Sequence, residues 1–280
     1  MKLNTAIEIA RKELKRNEIK SPSLDSELLL TEVIKQNREF IILNSKNKIC
    51  EEDYSHFQKL ISERMKGRPV AHLTGKKFFW KHEFIVNNKV LIPRPDTEII
   101  VEQVLNLYKN KSKINFLDIG FGSGCILLSI LKEKKDFKAI GVDVSKHALK
   151  ICNINAYNLG VKSRVKLFKS DIDKFSMGKY DLIISNPPYI KKHDIKYLEK
   201  DVNCFEPKLA LDGGLEGTLK IKKVIRKASS LLKKNGKLIL EIGHSQKNIV
   251  TKLLKNKGFY INKTVKDYAQ HNRCIISTKI

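Results

Sequence analysis

Ser185-Asn186-Pro187-Pro188-Tyr189 sets an amide, backbone carbonyls and an aromatic face within five residues. That set suits a planar –NH2 group. Such a group has two N–H donors, and its lone pair is delocalised into a neighbouring π system, so it is a weak nucleophile. The side-chain oxygen of Asn186 and the carbonyl of Pro187 can accept the two hydrogens and hold the nitrogen in line with an electrophile. Tyr189 can stack on its plane. Asn186, Pro187 and Tyr189 are therefore the candidate catalytic residues, and together with Pro188 the candidate substrate contacts. The competing interpretation is an ordinary proline-rich turn capping a buried strand.

The elements around the motif have to present it. Tyr180–Ile184 is an apolar run that reads as a buried parallel strand. Two consecutive prolines stop the ladder and fix φ near about −65°. A residue before proline is pushed to an extended conformation, so Asn186 and Pro187 cannot fold back into a helix. The result is a rigid loop at the carboxyl end of a strand, where open α/β sheets place their ligands. Residues 113–280 alternate strand and helix, with strands expected at Ile114–Asp118, Lys138–Asp143, Val165–Lys169, Tyr180–Ser185, Lys237–Glu241, Phe259–Lys266 and Arg273–Thr278. Helices are expected to begin near Cys125, Lys146, Leu215 and Gln246. The connection Asp267–Asn272 is too short for a helix, so the last two strands should form an antiparallel hairpin at the sheet edge. The expected fold class is α/β: a doubly wound, seven-stranded domain with its last strand antiparallel.

A second constellation lies on the first strand of that sheet. Asn115–Ile119 runs into Gly120-Phe121-Gly122-Ser123-Gly124 and then a helix. Glycines let backbone approach a ligand closely and adopt φ > 0. The spacing is GxGxG and not the GxGxxG of dinucleotide folds, which disfavours NAD. Asp143 ends the next strand, where a carboxylate can accept from both hydroxyls of a ribose. One strand later, Asp171 can accept from the amino group of an adenine and Ile172 can pack on its edge. Helix capping is the plainer role for both acids. Glycine loop, two acids and Asn-Pro-Pro-Tyr fall on the tips of four successive strands, and this arrangement points to S-adenosylmethionine. Gly120, Phe121, Gly122, Ser123, Gly124, Asp143, Asp171, Ile172 and Asn186 are its candidate contacts.

Residues 1–75 read as a helical domain without chemistry of its own, and so as a substrate-recognition module. Thr5–Asn17 places Ala6, Ile9, Ala10 and Leu14 on one face, and Ser21 or Ser23 is a candidate cap for the next helix. Residues 76–95 form the expected linker: a β-hairpin with one strand over Gly75–Val86, a turn at Asn87–Lys89 and a return over Val90–Ile92. The remaining residues, 96–280, form the sheet domain, opening with a helix near Thr97–Tyr108. The chain carries a formal net charge of +25, yet only nine of its 55 basic residues are arginine, the residue that usually reads phosphates and bases. This is as compatible with compositional drift toward lysine as with a ribosome or RNA nearby. The five scattered cysteines form no CxxC pair, so reduced thiols and no metal site are expected. No apolar run spans a membrane and no signal-peptide core opens the chain, so a cytoplasmic location is expected; the expected state is a monomer.

Asn186-Pro187-Pro188-Tyr189 after a strand resembles the motif of methyltransferases acting on adenine N6, guanine N2 or glutamine N5. Along nearly its whole length the chain also resembles the peptide chain release factor glutamine N5-methyltransferase family. The matching blocks are Pro93-Arg94-Pro95-Asp96-Thr97-Glu98, Asp118–Cys125, Val142–Ser145, Asn186–Ile190, Phe205-Glu206-Pro207 with Leu211–Gly214, and Glu241-Ile242-Gly243-His244. The resemblance implies a Rossmann-like methyltransferase domain, S-adenosylmethionine as donor, and the glutamine of the Gly-Gly-Gln motif in class I release factors as acceptor. Two positions depart from the family's pattern: Phe121 stands where threonine is usual, and Ile172 where an aromatic is common. The rivals are a DNA or RNA amino-methyltransferase and a non-catalytic RNA-binding protein on the same fold. No segment with clustered arginines and aromatics supports the first.

Overall fold

Five helices fill the first 75 residues in the computed structural model, which describes all 280 residues: α1 (Leu3–Arg16), α2 (Pro22–Ile34), α3 (Arg38–Leu43), α4 (Glu51–Met65) and α5 (Val70–Thr74). Leu3, Ala6, Ala10 and Leu14 of α1 pack with Leu29, Leu30 and Val33 of α2 and Phe57 and Ile61 of α4. Ile9, expected on that face, is exposed, and Leu3, about one turn before Ala6, extends the face instead. Ser21 occupies the cap position of α2 but does not cap the backbone; its hydroxyl donates to Asp25 Oδ1 at 2.8 Å. Asp25 and Arg64 form a buried ion pair, Nε to Oδ2 at 2.7 Å. Removing one member of such a pair strands the other charge in a poor solvent. Asp25→Ala is therefore expected to cost about 3–5 kcal/mol in urea unfolding, whereas an exposed pair such as Arg11–Glu8 should cost under about 1 kcal/mol.

The chain divides into two compact units, Met1–Lys76 with Glu199–Phe205, and Lys77–Leu198 with Glu206–Ile280. A hairpin of β1 (Lys76–Phe79) and β2 (His82–Ile85) follows α5. It turns at Trp80, whose φ is +58°, so both strands lie inside the stretch expected to be one. Val90–Ile92 does not return as a strand. Asn155 brackets Ile85 from both sides, accepting from its N–H at 2.8 Å and donating to its carbonyl at 3.0 Å. The N–H of Ile92 goes to Glu206 Oε2 at 3.2 Å. Side chains thus take up groups that a third strand would have used. A 3-10 turn at Pro95–Thr97 then leads into α6 (Glu98–Leu107).

The main sheet contains β3 (Asn115–Ile119), β4 (Lys138–Asp143), β5 (Val165–Lys169), β6 (Tyr180–Ser185), β7 (Leu232–Glu241), β8 (Phe259–Lys266) and β9 (Asn272–Lys279), in the order β5-β4-β3-β6-β7-β9-β8. The helices α7 (Cys125–Glu133), α8 (Lys146–Asn158), α9 (Lys200–Phe205), α10 (Leu219–Leu231) and α11 (Lys247–Lys255) complete the chain, with α9 grouped with the N-terminal unit. β3 through β7 are parallel, and β9 runs antiparallel to both of its neighbours. The final hairpin forms this edge of the sheet as expected: its second strand, β9, pairs with β7, and its first, β8, lies outermost. Leu117, Ile183, Leu238, Leu240 and Ile275 form the buried centre of the sheet, covered by Ile221, Val224 and Ile225 of α10. α10 begins at Leu219, four residues later than expected, because Gly214 and Gly217 adopt left-handed φ of +88° and +73° and break the helix path. Strand order reverses between β3 and β6, the place where such sheets open a crevice at their carboxyl ends. The parallel register brings these tips level: Ile119 pairs with Val142, Asp143 with Lys169, and Ser185 with Leu240.

Candidate active site

A cavity of about 520 Å3 opens on this rim. Each parallel strand from β3 to β6 contributes the residues that follow it. Gly120 and Gly122 come from β3, Asp143 and Ser145 from β4, Asp171 and Ile172 from β5, and Asn186, Pro187 and Pro188 from β6. Gly120 and Gly122 have φ of +81° and +55°, and a Cβ on either would enter open space. They leave bare backbone facing the cavity, where a ligand can lie against it.

The other three residues of the glycine turn do not line the cavity. Phe121 is buried and packs under the sheet, close enough to Gly141 that a Cβ there would lie 2.7 Å from its ring. Ser123 is buried and its carbonyl accepts from Asn155 Nδ2 at 2.9 Å. A Cβ on Gly124 would lie 2.5 Å from Cys152 Sγ, so this glycine serves the packing of α7 on α8. The side chains of Phe121 and Ser123 and the backbone of Gly124 therefore shape the turn from behind.

Asp143 and Asp171 both cap and line. Asp143 Oδ2 accepts from Gly122 N at 3.0 Å, and Oδ1 accepts from Ser145 N at 2.8 Å, tying the β3 turn to the β4 tip. Burial pushes its carboxyl above the usual range, against the pull of these N–H groups. Asp171 is exposed and its Oδ1 accepts from Asp173 N at 2.9 Å. Asp118, at 1% exposure, lies behind the rim; burial, then the nearby charge of Asp143, push its carboxyl well above the usual range.

Ser185 donates to the Ile119 carbonyl at 2.6 Å and locks the β6 tip to β3. Asn186 Nδ2 donates to Thr97 Oγ1 at 3.1 Å, which turns its side-chain oxygen the other way. None of the loop's hydrogen bonds ends on the Pro187 carbonyl. Tyr189 does not line the cavity. Its ring packs against the sheet core and its hydroxyl donates to Glu241 Oε1 at 3.4 Å. Its backbone carbonyl accepts from Gln246 Nε2 at 3.0 Å. The next residue is clamped by the 211–214 stretch, with Ile190 N donating to Leu211 O at 3.2 Å and Gly213 N to Ile190 O at 2.8 Å. Buried Glu206 pairs with Arg94, and Pro207, Leu209 and Ala210 line the cavity beyond it. Glu98 accepts from Trp80 N at 2.7 Å, a structural role. His244 lies against His271, with ring centroids 5.6 Å apart and the rings tilted by 55°, and does not line the cavity.

Thr97 and Glu241 also belong to the site, although no local motif marks them. The available signals were their places, at the mouth of a helix and at the tip of the fifth parallel strand. Glu241 is fully buried, and burial raises its carboxyl to about 7, against the pull of the Thr97 hydroxyl and the charge of Arg273. Its unfolded value is near 4.5. The native state therefore binds more protons between these values, so this group's contribution favours folding below 4.5 and is lost as pH rises through about 7. Glu241→Gln should accordingly gain in melting temperature relative to the wild type between pH 5 and pH 8, read by thermal denaturation at both values. A difference that stays flat, or that shrinks with pH, would contradict the assignment.

The residues present fit S-adenosylmethionine. The volume lies within the range of about 300–1,000 Å3 usual for cofactor sites. Bare glycine backbone, carboxylate acceptors on the tips of β4 and β5, and the apolar side of Ile172 match a nucleoside. Among known proteins, residues 5–75 match the PrmC N-terminal domain model and residues 110–275 a methyltransferase domain model. The chain is 35% identical to the release factor glutamine methyltransferase of Caulobacter vibrioides, over 96% of this chain and 94% of that protein. It is 38% identical to the one from Buchnera aphidicola subsp. Schizaphis graminum, over 100% of both. A bifunctional methyltransferase of Rickettsia conorii is 33% identical over 94% of this chain but only 55% of its own length. A solved methyltransferase from Pyrococcus furiosus has a TM-score of 0.52 at 19% identity, covering 80% of this chain and 98% of that one, and shares the Rossmann-like fold. The chain belongs to the release factor glutamine methyltransferase family.

Proposed function

We propose that this protein transfers a methyl group from S-adenosylmethionine to N5 of the glutamine in the Gly-Gly-Gln motif of class I peptide chain release factors. The observation that carries the reading is the position of Asn186: its amide nitrogen is held by Thr97, on the rim of the cavity that Gly120, Gly122 and Asp143 share. Those three residues, with Asp171 and Ile172, would hold the cofactor. S-adenosylmethionine supplies a methyl group on a sulfonium, which leaves a neutral thioether. Asn186 Oδ1 and the Pro187 carbonyl accept the two N–H groups of the glutamine amide and aim its nitrogen. They also offset the positive charge that grows on that nitrogen. A strong base is not required, because the extra proton is acidic once the nitrogen carries four bonds and can pass to water. Tyr189 acts from behind by fixing the loop through Glu241.

Residues 1–75 serve in this reading as the recognition module, joined by the linker 76–95 to the catalytic domain 96–280. The protein acts as a cytoplasmic monomer, and its +25 charge is compatible with a ribosome or RNA nearby. No helix is long and apolar enough to cross a membrane. The test is a transfer assay with labelled methyl donor and, in parallel, a class I release factor or nucleic acid. Label on the factor is expected; label retained by nucleic acid but absent from protein would defeat the reading.

A further inference from the structure

The charge of the chain is unevenly placed. The helical unit, Met1–Lys76 with Glu199–Phe205, holds 16 basic and 13 acidic residues and the sheet unit 39 and 17, so their net charges are +3 and +22. Within the sheet unit the excess gathers at one end. β3 to β7 are parallel, and β8 runs the same way because β9 opposes both β7 and β8. The segments that enter these six strands (108–114, 134–137, 159–164, 175–179, 232–236 and 256–258) therefore all arrive at the edge opposite the cavity. Each entry is basic. Three exposed lysines precede β3, Lys135 precedes β4 and Lys138 opens it, Lys162 precedes β5, Lys179 precedes β6, Lys234 lies at the start of β7 and Lys257 precedes β8. Asp136 is the single acid in these segments. Asp181, the second residue of β6, is already engaged by Lys233 at 2.7 Å and by Asn115 N at 2.9 Å.

Uniform drift toward lysine enriches both units and both edges alike, and it does not clear carboxylates from one edge. The acids of the sheet unit gather instead at the other rim, from Asp96 and Asp143 to Asp212 and Glu241. Seven strands spaced about 4.8 Å apart make the basic edge about 29 Å long. A row of charge on that scale matches a nucleic-acid duplex, which carries a phosphate per about 1.7 Å of axis. The aromatic rings of the entry segments, Tyr108, Phe137 and Phe175, are buried, so unpaired bases find no stacking platform there. Met177 is their one exposed apolar side chain, too little to anchor in a lipid surface. Asn110, Ser112, Ser163 and Asn235 stand exposed among the lysines, groups of the kind that contact phosphate. Lysine is a point charge and reads backbone rather than base. We propose that the amino-end edge of the sheet binds the phosphate backbone of double-helical RNA without sequence preference, on the side of the domain away from the chemistry. The choice of RNA over DNA rests on the proposed acceptor, a factor of translation; the basic edge itself does not depend on that reading.

The test titrates the full-length protein into a labelled RNA duplex of about 20 base pairs and follows fluorescence anisotropy from about 50 to 200 mM KCl. Kd should be micromolar near physiological salt, and log K should fall against log salt with a slope of about −3 or steeper, as for about four phosphates or more. A duplex of scrambled sequence should bind within about threefold of the first. Lys113→Gln, Lys135→Gln and Lys234→Gln combined should raise Kd at least about tenfold and make the slope shallower by about two. Three exposed charges removed from the helical unit, Lys12→Gln, Lys46→Gln and Lys59→Gln, should move Kd less than about threefold. Methyl transfer to a free release factor should be unchanged in the first triple variant, since none of its three residues lines the cavity. A wild-type slope shallower than about −3, equal losses in the two triple variants, or a DNA duplex bound more than about tenfold tighter than the RNA overturns the inference. So does tighter binding to vesicles of phosphatidylcholine and phosphatidylserine than to the RNA. A protein that binds RNA in this way yet methylates no release factor sinks the proposed function and leaves the basic edge standing. One that methylates the factor but shows no salt-dependent RNA binding sinks this inference alone.

Discussion

Asn186→Ala is expected to lower kcat about a thousandfold, the scale for removing a preorganised group aimed at developing charge. The Kd for S-adenosylmethionine should stay within a factor of a few. The split follows from where Asn186 is held. The β6 tip remains locked without its side chain, because Ser185 Oγ still donates to Ile119 O at 2.6 Å and Ile190 stays clamped by Leu211 and Gly213. The glycine turn is tied instead to Asp143. What disappears is one acceptor for the glutamine amide. Turnover and isothermal titration on the same preparation read both numbers; equal losses in the two would place Asn186 in cofactor binding and not in transfer.

Asp143→Ala should show the converse, with Kd for the cofactor rising about a hundredfold and a smaller fall in kcat at saturation. A hydrogen bond to a charged group contributes about 1.5–3 kcal/mol, and a hundredfold change in Kd corresponds to about 2.7 kcal/mol. The carboxylate has two tasks on the rim. It faces the cavity, where it can accept from ligand hydroxyls, and it holds Gly122 N and Ser145 N at 3.0 and 2.8 Å. Alanine removes both, so the turn that presents bare backbone loosens as well. Asp143→Asn keeps one acceptor oxygen and should fall between the two. Calorimetry that finds wild-type cofactor affinity in Asp143→Ala would contradict this placement.

Much of the architecture follows from strong local patterns. The apolar runs of β3, β4 and β6 are buried on both faces and read as strands whatever their neighbours. The glycines at 120 and 122 and the prolines at 187 and 188 act through their own backbones, so their roles are visible one residue at a time. Positions that depend on distant partners were not legible in this way. Val90–Ile92 has strand composition, but the N–H of Ile92 goes to Glu206, more than a hundred residues away. Phe121 sits in a loop whose spacing suggests contact, yet its side chain turns into the core beside Gly141. Tyr189 reads as an exposed aromatic face because nothing local shows that Glu241 will take its hydroxyl. Thr97 reads as a helix cap because Asn186 is 89 positions further on.

The identity of the nitrogen that Asn186 faces decides which reaction this site performs. Incubating the protein with S-adenosylmethionine and a class I release factor, then mapping the product by fragmentation mass spectrometry, measures it directly. One added methyl on the side-chain amide of the Gly-Gly-Gln glutamine is the predicted product, with none in a factor whose glutamine is replaced by glutamate. A methyl carried on any other side chain, or none on the factor while a nucleic acid in the same tube is methylated on an exocyclic amine, would contradict it.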